Sequence, residues 1–183
     1  MEQVKTYLKS SCKSDSATQA NLDRAFSDGT ALLINERLMN SPPKLAPPLM
    51  QFLFQEIKAA ATNKGLSKEA FSSLKRYLVF TRVFSDPERA PGPSSGSRKK
   101  LKREGGAGPS SSDNQDEVIV YLRPEDEFLH KHCSWSFTFP IEGRAVGKED
   151  LKPLRLVMMV EATKITKVRA ELDAVVGNMA TGQ

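Results

Sequence analysis

The chain has 183 residues, 39 % of them hydrophobic and 27 % charged, with a net charge of +5. That length allows one domain, or a domain with a flexible insert, and the apolar content is too high for a wholly disordered chain. Lys and Arg number 13 against 9 acids over residues 1–90, and 9 against 10 over 117–183, so composition offers no concentrated basic face of the kind a general nucleic-acid surface needs. The two cysteines, Cys12 and Cys133, give neither a disulfide framework nor metal-ligand spacing. Residues 1–10 hold no apolar signal core, and the longest apolar runs, such as 154–160, are too short to span a bilayer. The expectation is a protein of a reducing compartment, cytosolic or nuclear, with no membrane attachment.

Residues 17–26 place Leu22, Ala25 and Phe26 at helical spacing and stop at Asp28-Gly29. The short run Ala31-Leu32-Leu33-Ile34 is ambiguous by period alone, and its bracketing by Gly29 and Pro42-Pro43 favours a strand. Residues 47–61 are the clearest helix, opened by prolines, with Leu49, Met50, Leu53, Phe54 and Ile57 on one face. Residues 77–84 are aromatic and β-branched, hence a strand.

Residues 86–116 then crowd Pro, Gly and Ser around one basic run, and such a segment cannot offset its ordering entropy by burial. It is read as a disordered loop. Beyond it, 118–122 is a short strand, and Pro124 opens a helix with Glu125, Asp126 and Glu127 in its first turn. Trp135, Phe137 and Phe139 alternate as in a half-buried strand, while 154–160 shows no alternation and reads as a strand buried on both faces. Ile165, Val168, Leu172, Val175 and Val176 mark a closing helix. The pattern implies an α/β (α+β) sandwich of one mixed sheet with helices, in two halves, 1–85 and 117–177, either side of the loop, with 178–183 as a disordered tail.

Three segments carry a resemblance. The first is Glu36-Arg37-Leu38-Met39-Asn40 with Pro42-Pro43, then Pro47-Pro48-Leu49-Met50, Leu53 and Glu56. The second is Tyr77-Leu78 through Arg82-Val83-Phe84, followed by Pro124-Glu125-Asp126-Glu127-Phe128. The third is Pro153-Leu154-Arg155 with Val157-Met158. In order and spacing, over about residues 20–175, they resemble the BCCIP family. The resemblance implies a nuclear protein that binds cell-cycle regulators and escorts a large-subunit ribosomal protein. Its body would be an acetyltransferase-type sandwich without catalysis. Family members carry an acidic leader and further strands ahead of the segment where this sequence begins, so the sheet is expected to lack its N-terminal strands and to keep an open edge.

Arg98, Lys99, Lys100, Lys102 and Arg103 form a basic run in a Gly/Ser/Pro setting, as an importin groove requires; a solvated linker charge and nucleic-acid contact are the alternatives. The stretch 103–108 matches Arg-x-x-Gly-x-Gly, yet it lacks the strand-to-helix junction that would aim backbone N–H groups at a coenzyme A pyrophosphate, so no cofactor is expected. His130 and His132 are two residues apart on a helix and point in different directions, so no metal is expected with Cys133 and Glu127.

The partner-binding candidates are Glu36, Arg37, Asn40, Pro42 and Pro43, at the end of a strand where a turn would also explain the prolines. Glu125, Asp126 and Glu127 join them as an acidic patch, although compensation of the helix dipole also explains them. Trp135, Phe137 and Phe139 are read as core rather than as a stacking platform, because Ser136 and Thr138 between them carry no charge. The leading expectation is a nuclear protein-binding module. An acetyltransferase-like fold that keeps acetyl-CoA, and a nucleic-acid binder acting through the basic loop, are the alternatives; no sequence-specific nucleic acid is expected.

Overall fold

The computed structural model describes residues 2–12, 16–27, 29–36, 41–62, 68–86, 118–141 and 151–181. Helices α1 (Glu2–Ser11) and α2 (Ser16–Ala25) precede strand β1 (Thr30–Ile34). A 3-10 turn, Pro43–Leu45, leads into α3 (Ala46–Thr62), then α4 (Lys68–Ser72) and β2 (Arg76–Asp86). Strand β3 (Val118–Tyr121), α5 (Pro124–Lys131), β4 (Trp135–Pro140) and β5 (Lys152–Glu161) follow, with α6 (Ile165–Thr181) last.

The sheet runs β1-β2-β5-β4, with β3 also on β2. β1 is parallel to β2, and the other pairings are antiparallel. The architecture is therefore one open mixed sheet with helices. The coarse element order matches the sequence reading, to which the structure adds α1 and the five-residue α4. The basic run at 98–103 and most of the 86–116 loop lie outside the described residues. Asp86 itself belongs to β2.

Helices cover both faces. On one, Tyr77, Val79 and Val83 of β2 and Leu154, Leu156, Met158 and Val160 of β5 pack with Met50 of α3, Leu129 of α5 and Val168 and Leu172 of α6. On the other, Leu78, Val157, Met159 and Phe139 meet Leu8 and Cys12 at the end of α1 and Leu22 of α2. β5 is thus buried on both sides over most of its length, as its run of apolar residues without alternation predicts. Trp135, Phe137 and Phe139 stack in file along β4, with centroids 6.3 and 5.8 Å apart, and Phe139 takes the Tyr7 ring edge-on. Their packing is that of a core.

Three differences from the sequence reading have local causes. Leu49 is 46 % exposed: the inward stripe of α3 is Ala46, Met50, Phe54 and Ile57, and at about 100° per residue Leu49 falls outside it. α6 continues to Thr181, into the stretch read as a tail without structure, and Val176 is buried in the core ahead of it. α1 leaves no periodic signal in the residues, because Leu8 is its one buried residue, too sparse a stripe for a period to register. Gly29 makes the turn into β1 with φ +80, and a Cβ there would lie 2.7 Å from the Ser73 carbonyl oxygen. Its own carbonyl accepts the N–H groups of Lys75 and Arg76, which sets the parallel start of β1 and β2.

Candidate functional site

β2 is eleven residues long and takes two neighbours in succession along one edge. β1 pairs with its first part, Arg76 to Phe80, and β3 with its last, Val83 to Asp86. Between them, Thr81 and Arg82 have no strand opposite on that side among the described residues, and this notch leaves backbone groups that need partners. The Asn35 N–H extends the ladder one step by donating to the Phe80 carbonyl at 3.1 Å. The carbonyls of Asn35 and Arg82 are answered by one side chain: Arg123 donates to them through its two terminal nitrogens, at 2.6 and 3.4 Å.

Arg123 occupies the N-cap position of α5, with Pro124 next. That geometry brings Asp126 of the first turn back toward the cap, where the Arg123 Nε donates to its carboxylate at 3.0 Å. The Thr81 hydroxyl and the Asn35 side-chain amide donate to the same carboxylate, each at 2.7 Å. Asp126 is fully buried and Arg123 nearly so. Burial pushes the Asp126 carboxyl above its usual range, while the donors Thr81, Arg123 and Asn35 pull it down. An outer layer completes the cluster. Glu36 receives Arg155 at 2.7 Å and stands 3.6 Å from Arg123, and the Arg155 guanidinium lies over the Phe80 ring at 5.1 Å.

The residues singled out from sequence separate here. Glu125 and Asp126 are turned inward, so the acidic patch offered to a partner contracts to Glu127, which is exposed. The physical reason is the notch: a first turn seated against β2 must use its acids on the donors it meets there. Glu36 is exposed and ties Arg123 to Arg155. Pro42 and Pro43 are exposed and open the turn ahead of α3, as their turn chemistry predicts. Arg37 and Asn40 lie outside the described residues, as do Arg98, Lys99, Lys100, Lys102 and Arg103. Sequence reasoning passed over Asn35, Thr81 and Arg123; the one local signal was an arginine directly before the helix-opening proline, three residues ahead of an aspartate.

A second polar chain links β3, α5 and β4. His130 Nδ1 is 2.6 Å from the Tyr121 hydroxyl and its Nε2 is 2.8 Å from the Ser136 hydroxyl. His132 instead meets Glu171 of α6 at 3.0 Å, so the two histidines serve different neighbours. Among the described residues no group of three His, Cys, Asp or Glu side chains is placed to hold a metal ion.

Burial, reinforced by Glu127, pushes the Tyr121 hydroxyl from 10.0 to about 12. The folded chain therefore keeps a proton that the unfolded chain releases, and stability is lost as pH rises from 10.0 to about 12. In thermal melts across that window, Tyr121→Phe is expected to flatten part of the decline; Tyr77, shifted the same way by burial, retains the rest. An unchanged slope in the variant would contradict this assignment.

Fold and site together define a mixed α+β protein whose central charges hold strands and a helix in place, with Thr81, Asn35 and Arg123 of the chain itself donating to Asp126. A family model matches over residues 1–129, that of BCCIP. The chain belongs to the BCCIP family. It is 32 % identical to a Protein BCCIP homolog of Arabidopsis thaliana over 95 % of this chain and 51 % of that protein. It is 31 % identical to Protein BCP1 of Gibberella zeae, covering 90 % and 55 % of the two chains. To the BRCA2 and CDKN1A-interacting protein of Bos taurus it is 26 % identical, covering 93 % and 54 %. The chain spans about half the length of the curated relatives it matches. Among solved structures, the crystal structure of BCP1 from Saccharomyces cerevisiae is similar at 20 % identity and a TM-score of 0.49, covering 91 % of this chain and 54 % of that one.

Proposed function

We propose that this chain is a non-enzymatic protein-binding module that works in the nucleus. It would shield a basic large-subunit ribosomal protein until handover and engage cell-cycle regulators. The observation that carries the reading is membership of the BCCIP family, whose relatives in Bos taurus and Mus musculus are named BRCA2 and CDKN1A-interacting proteins. The Asp126 cluster agrees with it, because a carboxylate already holding Arg123, Thr81 and Asn35 is committed to structure and not poised as a general base.

The test is to mix the purified chain with purified basic large-subunit ribosomal proteins and follow light scattering and complex mass. Suppressed aggregation and a complex of fixed stoichiometry are expected with at least one of them; none with any would contradict the escort role. The body is proposed to be an acetyltransferase-type sandwich without catalysis, so calorimetric titration with acetyl-CoA should give no heat. Micromolar binding would overturn the non-enzymatic reading.

The basic run at 98–103 is proposed as the import signal read by importin. Alanine at Arg98, Lys99, Lys100, Lys102 and Arg103 should leave a tagged protein spread through the cell, and unchanged nuclear enrichment would remove the assignment. The same variant should show no loss of a sequence-specific complex in a gel shift, since none is expected of the parent chain.

A further inference from the structure

We propose that the sheet surface around Arg82 and Arg155 docks an acidic segment of a partner protein, with a carboxylate received between the two guanidiniums and apolar residues flanking it. The inference rests on the chain being a protein-binding module, and names the chemistry of one partner. Arg82 and Arg155 are direct cross-strand partners on β2 and β5. Both lie on the face that carries Leu78, Phe80, Val157 and Met159, by the alternation of each strand. Like charges placed directly opposite destabilise a sheet, so this pair is held against repulsion.

Among the described residues neutralisation is incomplete. There Arg155 has one carboxylate, Glu36, which Arg123 shares. The Arg82 side chain makes no ion pair or hydrogen bond with any described residue, and its Nε is shut off from solvent without an acceptor. A guanidinium N–H removed from water and left without an acceptor is costly, and a carboxylate entering between the two arginines would answer both the orphan donor and the repulsion.

The surroundings choose the kind of anion. Ile34, at the end of β1 and 60 % exposed, pairs in register with Phe80 on one side of Arg82. Phe84, half-buried, lies two residues beyond Arg82 on the same face. An extended peptide presents alternate side chains about 7 Å apart on one side, which matches an apolar–acidic–apolar sequence laid along Ile34 or Phe80, Arg82 and Phe84. A nucleic-acid backbone would bring repeated phosphates and nothing to cover Ile34.

The experiment is fluorescence anisotropy of the full chain with a labelled peptide of the pattern Leu-Ser-Glu-Ser-Leu, which puts Leu, Glu and Leu on one side when extended, the same peptide with Gln for Glu, and an oligo-dT strand. The Glu peptide should bind with an affinity that falls as salt rises, and the Gln peptide and oligo-dT should each be weaker by about tenfold or more. Arg82→Gln should weaken the Glu peptide by about tenfold. Arg82→Glu should abolish binding while raising the melting temperature through an ion pair with Arg155, which separates loss of the site from loss of the fold. Equal binding of the Gln peptide, stronger binding of oligo-dT, or full binding by either variant would each overturn the proposal. Binding of a ribosomal protein without any binding of the Glu peptide would overturn this docking site while leaving the broader reading intact.

Discussion

Asp126→Ala is expected to destabilise the chain by about 3–5 kcal/mol, the scale for breaking a buried ion pair from one side. The loss is more than a missing contact. Arg123 would keep a buried guanidinium with its Nε unanswered, and the Thr81 hydroxyl and Asn35 amide would lose their shared acceptor at the same moment. Arg123 also holds the carbonyls of Asn35 and Arg82, so its displacement would loosen the join between β1, β2 and α5. Removing both members should cost less than the sum of the two single losses, because neither partner is then left charged and alone. Glu127→Ala, at the next residue in sequence after Asp126 but exposed, should stay within about 0.5 kcal/mol of the parent. Urea unfolding at neutral pH measures all four; a cost for Asp126→Ala under about 1 kcal/mol would refute a structural role for the cluster.

Leu156→Ala should cost about 2–5 kcal/mol, by loss of transfer free energy and by the cavity left behind. Leu156 is fully buried in β5, the strand that pairs with β2 on one side and β4 on the other. Neighbours on two strands and the helices above limit how far the site can collapse, which places the cost in the upper part of that range. Phe52→Ala on α3 is the contrast: Phe52 is larger, yet 62 % exposed, and its removal should change stability by no more than about 0.5 kcal/mol. The same unfolding assay reads both, and comparable losses would mean that the helix-covered sheet is not the core.

Much of the body was legible because its signals are local. The apolar run 156–160 of β5 announces burial on two faces, the prolines at 47 and 48 and at 124 announce helix starts, and the alternation of β4 announces one apolar side. The polar lock was not legible for the opposite reason. Asn35 and Asp126 are 91 positions apart in sequence, and no period or motif relates them; they meet only because β2 takes two edge partners and leaves a notch. Glu125 and Asp126 fit the helix dipole wherever they point, so their position in the first turn could not tell an inward acid from an exposed one. The BCCIP likeness was carried by the order of short segments, several of which now have structural reasons: Arg82 and Arg155 oppose each other across two strands, and Glu36 closes over Arg155.

The described residues on either side of the 86–116 loop form one body, joined by β2 against β3 and β5 and by Asn35 and Arg123 across the notch. The direct measurement is to place a specific protease site between Gly105 and Gly106, cleave the folded chain, and follow it by gel filtration and melting. The two pieces should elute together and melt in a single transition. Separation into two species without denaturant, or two independent melting transitions, would contradict the account.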